Sequence, residues 1–569
     1  MAKVSIKLNG QRVEAQAGST VLQAAKAAGV DIPTLCHHPA LKDIGACRMC
    51  VVEVTGQREV QPACTFPISE GMEVTTETPK VNALRKFVLE MLFSERNHYC
   101  MFCEMSGDCE LQSMAYRFGL DHWTYPSTYG PMPVDASRKH FMMDHARCIL
   151  CRRCIRACED LVANHTLGLK ARGAKTFVCA DMDVPFGDST CVSCGTCLQV
   201  CPTGALVDRR SAFGGREKDV ALTSTACTFC SVGCEAEVVT RAHRVLRVEG
   251  DWEGANSGLL CVAGRFESLE DGRPRVSSPM VRRGANLVPT TWDEALDQVA
   301  TKLKAAPESV SAYVTANALN ETLDSFTELF QEQVGASVSQ LEPSTKRLGL
   351  PSEQGLGVID RADAILVAGV DLDSNHRVVG YAIKRAREEG AELRVYCPSL
   401  NGCKPFGPKK SVIRDLKAGI ELCQGAQQPV VVYGLGLTPD EASQLAVLRG
   451  KASFVALAPA ANEAHAASMG LASGSTNHAR VAYLLLSDQP QDPLTASLAG
   501  ECEFVVAHAA YEGHVTEKAD VVLPAPLWYE REGTFTALGG RLAQVRPALS
   551  PPPGILPEPE VLSRLADRL

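Results

Sequence analysis

Between Cys148 and Cys201 the chain reads CILCRRCIRAC and, further on, CVSCGTCLQVCPTGAL. Each half has the spacing C-x2-C-x2-C-x3-C, which wraps a [4Fe–4S] cube, and the second half ends in the Cys201-Pro202 that often closes such runs. Structural zinc more usually draws on two cysteine pairs set well apart. Where two such runs share a domain, the fourth cysteine of each ligates the other cube. One cube is therefore expected on Cys148, Cys151, Cys154 and Cys201, and the other on Cys191, Cys194, Cys197 and Cys158. Arg147, Arg152, Arg153 and Arg156 are interleaved with the first set. A tetrathiolate cube is anionic, so guanidinium charge beside it favours its reduced form. A solvated basic face is the competing reading.

Three more sets carry ligand chemistry. Cys36, Cys47, Cys50 and Cys64 follow C-x10-C-x2-C-x13-C, a loop plus one distant ligand, which is the plan of [2Fe–2S] ferredoxins. Four buried core cysteines would be the alternative. His98, Cys100, Cys103 and Cys109 suit a cube with one imidazole ligand, with a Cys3His zinc site or an unligated His98 as the alternatives. Exchanging a thiolate for neutral imidazole removes negative charge and raises the potential. Cys227, Cys230, Cys234 and Cys261 could hold a further [4Fe–4S] cluster, with zinc again competing. Cys179 has no partner at ligand spacing and reads as structural.

The elements around these ligands are legible. Residues 4–15 alternate in polarity around Asn9-Gly10, a tight hairpin, and Gly18-Ser19-Thr20 opens a helix; a β-grasp domain is expected. Residues 80–119 carry apolar side chains at helical spacing. EAEVVTRAHRVLRVEGD alternates as a hairpin that would bring Cys261 back to Cys227. From 276 onward, strand-like runs alternate with helical ones, which predicts an α/β fold with parallel sheet in two lobes. The fold class is thus multidomain, α+β then α/β. Expected boundaries are a [2Fe–2S] ferredoxin over 1–79, a His/Cys segment over 80–119, a double [4Fe–4S] ferredoxin over 120–214, a fourth cysteine domain over 215–275 and an α/β domain over 276–569.

Of the 24 cysteines, twenty lie at or before Cys261. Clustering in C-x2-C groups within a chain of 569 residues argues for reduced thiolate ligands and a cytoplasmic setting, not a disulfide scaffold. Net charge is −9, so no nucleic-acid footprint is expected, and the longest apolar runs are strand-length. Neither a signal peptide nor a membrane span is expected. Gly434-Leu435-Gly436 lacks the third glycine of a dinucleotide fingerprint, and no Walker motif, nucleophile elbow or HExxH occurs.

The order of these motifs, with nineteen cysteines and His98, resembles the large iron–sulfur subunit of NADH dehydrogenase (complex I). It also resembles the iron–sulfur subunit of soluble NAD-reducing hydrogenase and the α subunit of NAD-dependent formate dehydrogenase. The resemblance implies a wire of one [2Fe–2S] and four [4Fe–4S] clusters. Its implied partners are a flavin-containing NADH-oxidising subunit, a small [2Fe–2S] subunit and a distal hydrogenase, quinone-linked or other reductase module. The spacing His98-x-Cys100 and two intact central runs favour the soluble-complex branch. Ala519–Gln544 is similar to the closing motif of molybdopterin oxidoreductases. Departures argue against the pterin: the family's CxKGR is Cys261-Val262-Ala263-Gly264-Arg265, its GxNP is Gly369-Val370-Asp371-Leu372-Asp373, and its DPR is Cys397-Pro398-Ser399. With 25 residues following Gln544, the family's terminal barrel is not expected here. A molybdenum or tungsten formate dehydrogenase and a zinc-stapled scaffold are the competing functions.

Overall fold

A computed structural model of the chain describes residues 2–128, 130–305, 307–398, 406–471, 479–491, 495–497 and 502–569; Ser399 lies outside them. The chain forms two compact units, Met1–Val220 and Ala221–Leu569.

The first unit opens with the hairpin Lys3–Leu8 and Gln11–Gln16. Asn9 and Gly10 at its tip both have positive φ, 50° and 83°, as a two-residue turn matched to strand twist requires. Lys3–Leu8 pairs in parallel with Glu73–Thr75, completing a five-stranded mixed sheet with Val51–Val54 and Gln61–Pro62. The helix Val21–Ala27 starts on a capping box between Thr20 and Gln23. Its Val21, Leu22, Ala24 and Ala25 pack with Ile6, Leu8, Val52 and Val74.

The expected helical stretch 80–119 is two helices, Pro79–Glu95 and Glu110–Arg117, with a short 3₁₀ turn at Cys100–Phe102 between them. One straight helix cannot turn His98, Cys100, Cys103 and Cys109 toward a common point, because a 3.6-residue period scatters that spacing around the axis. In the central region short helices start after Arg152 and Gly195. Cys179 lies on the hairpin Leu167–Lys170 and Phe177–Ala180.

In the second unit, Ala221–Ala226, Glu235–Arg241 and Arg244–Gly250 form an antiparallel sheet, and its second turn is the expected hairpin. Two larger sheets follow. A seven-stranded sheet runs Asn286–Pro289, Met280–Arg283, Val521–Pro524, Phe504–Ala509, Val481–Ser487, Val310–Val314, Ser337–Gln340. A five-stranded, all-parallel sheet runs Val412–Ile413, Glu392–Tyr396, Ala364–Ala368, Pro429–Gly434, Ser453–Leu457. All five residues of Ala364–Ala368 are buried, as a parallel strand covered on both faces must be. The two lobes expected from the alternation are these two sheets.

Candidate metal centres

Each cysteine run is shaped by backbone N–H groups turned onto sulfur. The N–H two residues after the ligand donates to it at Cys47, Cys148, Cys151, Cys191, Cys227 and Cys230. Leu150 N and Ser193 N each stand 3.4 Å from the sulfurs of Cys148 and Cys191. Both central runs reach this shape through left-handed residues at matching positions, Leu150 and Arg152 in one, Ser193 and Gly195 in the other. Only Gly195 is a residue type that favours that conformation. Such donors favour the anionic thiolate, the form that binds metal.

The first set falls into two pairs. The Cys47 thiol donates to Cys36, holding Cys36 down to about 6 and pushing Cys47 up. Cys50 donates likewise to Cys64 and lowers it. Two thiolates per pair suit a two-iron cluster with two cysteines on each iron. Buried Arg85 fixes the turn between Cys47 and Cys50, donating to the Met49 carbonyl at 3.1 Å and the Val51 carbonyl at 3.0 Å.

The structure places Cys201 near Cys148 and Cys151, and Cys158 near Cys191 and Cys194. Burial raises Cys148 to about 11 and Cys151 to about 12, and the charge of Cys201 adds to both. Burial likewise raises Cys158 to about 11, with Cys194 and Cys191 adding. Cys158, Cys191, Cys194 and Cys197 line one cavity. Thiols crowded in this way keep their protons until a cation displaces them.

His98, Cys100, Cys103 and Cys109 also share a cavity, whose wall includes Arg147, Thr203 and Gly204 from the central region. His98 bonds the Leu92 backbone through one ring nitrogen, while its Nε2 is buried without a partner. A ligating histidine is held this way, one ring N–H given to a carbonyl and the other nitrogen bare. Burial lowers His98 to about 4, so the ring is neutral near pH 7 and its Nε2 lone pair is available. Burial raises Cys109 to about 12. Gly204 makes the cavity possible, because a Cβ there would stand 2.4 Å from the Cys103 sulfur. Gly204→Ala is therefore expected to lower iron content by about four atoms per chain. The other centres' EPR signals should persist, and unchanged iron would refute this role.

Cys227, Cys230, Cys234 and Cys261 line a third cavity, of about 110 Å³, with His376 on its wall. Burial raises Cys230 to about 12 and lifts Cys227 and Cys234 well above the thiol range, with the charge of Cys261 adding to all three. The loop is clamped by the closing hairpin Gly533–Ala537 and Arg541–Val545: Leu538 N donates to the Ser231 carbonyl at 2.7 Å, and Arg541 donates to the Gly233 carbonyl. Among the described residues no group of three or more His, Cys, Asp and Glu side chains forms a single-ion site.

Not all interleaved arginines are solvated. Arg152 is exposed, but Arg153 and Arg156 are 4% and 5% exposed. Arg153 makes a two-pronged bond to Glu110 at 2.6 and 2.7 Å, tying the first central run to the helix that follows Cys109. Arg156 donates to the carbonyls of Lys42, Cys36 and Cys151, tying the same run to the Cys36 loop. The set Cys148, Cys151, Cys154, Cys201 is thus joined to all three other sets of its unit. The spacing of ligands points to none of Arg85, Gly204 and Arg138, the last of which donates to the Cys191 carbonyl; no local signal marks them.

Five regions match family models, and four of them make this chain an iron–sulfur protein with domains of both cluster types. They are a 2Fe-2S iron–sulfur cluster binding domain (1–79), an NADH-ubiquinone oxidoreductase-G iron–sulfur binding region (85–123), a 4Fe-4S dicluster domain (147–205), a molybdopterin oxidoreductase Fe4S4 domain (220–268) and the molybdopterin oxidoreductase model (275–568). The chain belongs to the molybdopterin oxidoreductase family, and its order of iron–sulfur domains is that of the NADH dehydrogenase large iron–sulfur subunits. It is 32% identical to an NADH-quinone oxidoreductase subunit of Rhizobium meliloti, over 77% of this chain and 52% of that protein. It is 31% identical to the NADPH-Fe(3+) oxidoreductase subunit alpha of Geobacter sulfurreducens, over 68% and 48%. It is 27% identical to NADH-quinone oxidoreductase subunit 3 of Thermus thermophilus, over 96% and 80%. The chain thus spans about half the length of the first two relatives. A crystal structure of NAD+-reducing [NiFe]-hydrogenase in the H2-reduced state matches with 34% identity over 38% of this chain and 91% of that chain, at a TM-score of 0.35.

Proposed function

We propose that this chain is the iron–sulfur electron-transfer subunit of a cytoplasmic NAD(P)H-linked oxidoreductase complex. It would take electrons from a flavin-containing NADH-oxidising partner, accompanied by a small [2Fe–2S] subunit, and deliver them to a distal hydrogenase, quinone-linked or other reductase module. Its ligands are Cys36, Cys47, Cys50 and Cys64 for [2Fe–2S]; His98, Cys100, Cys103 and Cys109, the two interlocked central sets, and Cys227, Cys230, Cys234 and Cys261 for four [4Fe–4S]. Bound clusters supply one-electron transfer. The protein holds them, covers them from water and sets their potentials through N–H donors and arginine charge. The observation that carries the reading is the bare, buried Nε2 of His98 in a cavity with three cysteines.

Among the described residues no helix is long and apolar enough to cross a membrane. Molybdopterin does not fit the site beside the fourth set. Ala263 lines the cavity of the fourth set where the family's bridging lysine would stand. The loop at Gly369 is closed by backbone: Gly436 N donates to the Gly369 carbonyl at 2.8 Å. Anaerobic protein should contain about eighteen iron atoms per chain with matching labile sulfide. Less than half of that would overturn the reading. Stoichiometric molybdenum or tungsten would favour the formate dehydrogenase alternative, and zinc in a colourless protein the scaffold.

A further inference from the structure

We propose that the cavity of Cys227, Cys230, Cys234 and Cys261 offers five donors for four cluster positions, and that His376 can replace Cys261 on iron. The proposal rests on the cluster reading above.

His376 lines this cavity and is 7% exposed. Its Nε2 stands 2.7 Å from the Ala458 carbonyl oxygen. A nitrogen that close to a carbonyl carries the proton and donates it. The Ser231 hydroxyl, 3.3 Å from the same nitrogen, is itself held by the Ala458 N–H at 3.1 Å. The proton on Nε2 leaves Nδ1 as a bare lone pair, and Nδ1 is buried without a partner. A buried acceptor left unpaired is costly and uncommon. His98 presents the same combination beside its three cysteines. Burial alone does not distinguish the two rings, since His145 Nδ1 and His508 Nε2 are also buried and unpartnered. Neither of those lines any of the three cysteine cavities.

Backbone geometry agrees. His376 has φ 54°, a left-handed conformation uncommon for a residue with a bulky side chain. Asp371 bends the loop ahead of it by accepting the N–H groups of Asp373 and Ser374, each at 3.0 Å. The helix Arg377–Glu388 begins directly after it. Strain kept at such a point fits a side chain held for a purpose.

Cys261 is the ligand to be exchanged. Cys227, Cys230 and Cys234 share one short loop clamped by the closing hairpin, whereas Cys261 arrives separately after the hairpin Glu235–Gly250. Cys227 and Cys234 are buried, and Cys230 and Cys261 partly so; it is the separate approach that singles out Cys261. In the exchange the iron–sulfur bond to Cys261 breaks and an iron–nitrogen bond to Nδ1 forms. The freed thiolate takes a proton from solvent, and no electron moves. Loss of one thiolate makes the cluster less anionic and raises its potential.

The test uses the full chain, reconstituted anaerobically and read by iron analysis, EPR-monitored titration and pulsed EPR. Cys261→Ala is expected to keep its iron, to titrate at higher potential than wild type and to gain a nitrogen coupling at that cluster. Cys261→Ala/His376→Ala should lose about four irons. Should Cys261→Ala fail to accumulate, Cys261→Ala/His376→Cys is expected to restore a four-thiolate cluster with the wild-type iron count. Retention of the cluster in the double alanine variant, or its loss in both single-alanine and cysteine-swapped forms, would overturn the proposal. Cys227→Ala is the separate control: if it loses no iron, the cluster reading itself fails.

Discussion

Replacing Arg156 by alanine is expected to lower two reduction potentials at once, that of the Cys36–Cys64 site and that of the Cys148–Cys201 site. Arg156 is 5% exposed and its guanidinium donates to the carbonyls of Cys36, Lys42 and Cys151, so on the proposed function one cation would stand between two anionic centres. A unit charge removed at a separation of about 10 Å, at an effective dielectric of about 20, is worth about 1.5–2 kcal/mol, or about 60–90 mV for a one-electron couple. Three carbonyls also lose a charged donor inside the protein, which costs roughly 3–5 kcal/mol of stability. Arg156→Lys keeps the charge but not the fork, so it should restore most of the potential and little of the stability. EPR titration and denaturant unfolding of the three proteins separate these effects. Potentials unmoved in the alanine variant would remove Arg156 from the electron path.

The second large effect is expected at Asp488. Its carboxylate pairs with Arg531 and accepts the Trp528 N–H at 2.9 Å, and the two charged side chains are 5% and 2% exposed. Burial pulls the Arg531 guanidinium toward neutrality, but Asp488 and its acidic neighbours keep it raised and charged. Asp488→Ala strands that charge in the interior and should cost roughly 3–5 kcal/mol. Asp488→Asn, which keeps the acceptor but not the charge, should fall between. Arg531 belongs to the closing segment Ala519–Gln544, whose hairpin clamps the Cys227–Cys234 loop. The alanine variant should therefore release the irons of that loop at lower denaturant than wild type. Unfolding and visible bleaching followed on one sample decide it, and an unshifted midpoint would contradict the assignment.

The order of electron carriers shows how space revises a linear reading. Along the chain the His98 set precedes the central runs. The first central set instead touches every other set of its unit, through Arg156 to the Cys36 loop, through Arg153 and Glu110 to the His98 set, and through the exchanged cysteines Cys158 and Cys201 to its twin. On the proposed function it would be a branch point. Interleaved arginines looked divisible between tuning and solvated roles, and burial divides them: Arg153 and Arg156 inside, Arg152 outside.

What the sequence by itself determined is what short-range chemistry writes. Thiolate spacing selects cluster type, Asn9-Gly10 selects the hairpin, and the alternation of apolar runs selects parallel sheets, because each depends on residues a few positions apart. The tertiary structure alone decided what depends on distant residues meeting. Gly204 clears space for Cys103, the closing hairpin covers the Cys227 loop, and His376 brings a bare nitrogen to a cavity whose cysteines lie far earlier in the chain. No local pattern marks a glycine whose only task is the absence of a Cβ, or a histidine whose tautomer is fixed by a carbonyl on another strand's loop. Those are properties of packing, and packing exists only once the chain has folded.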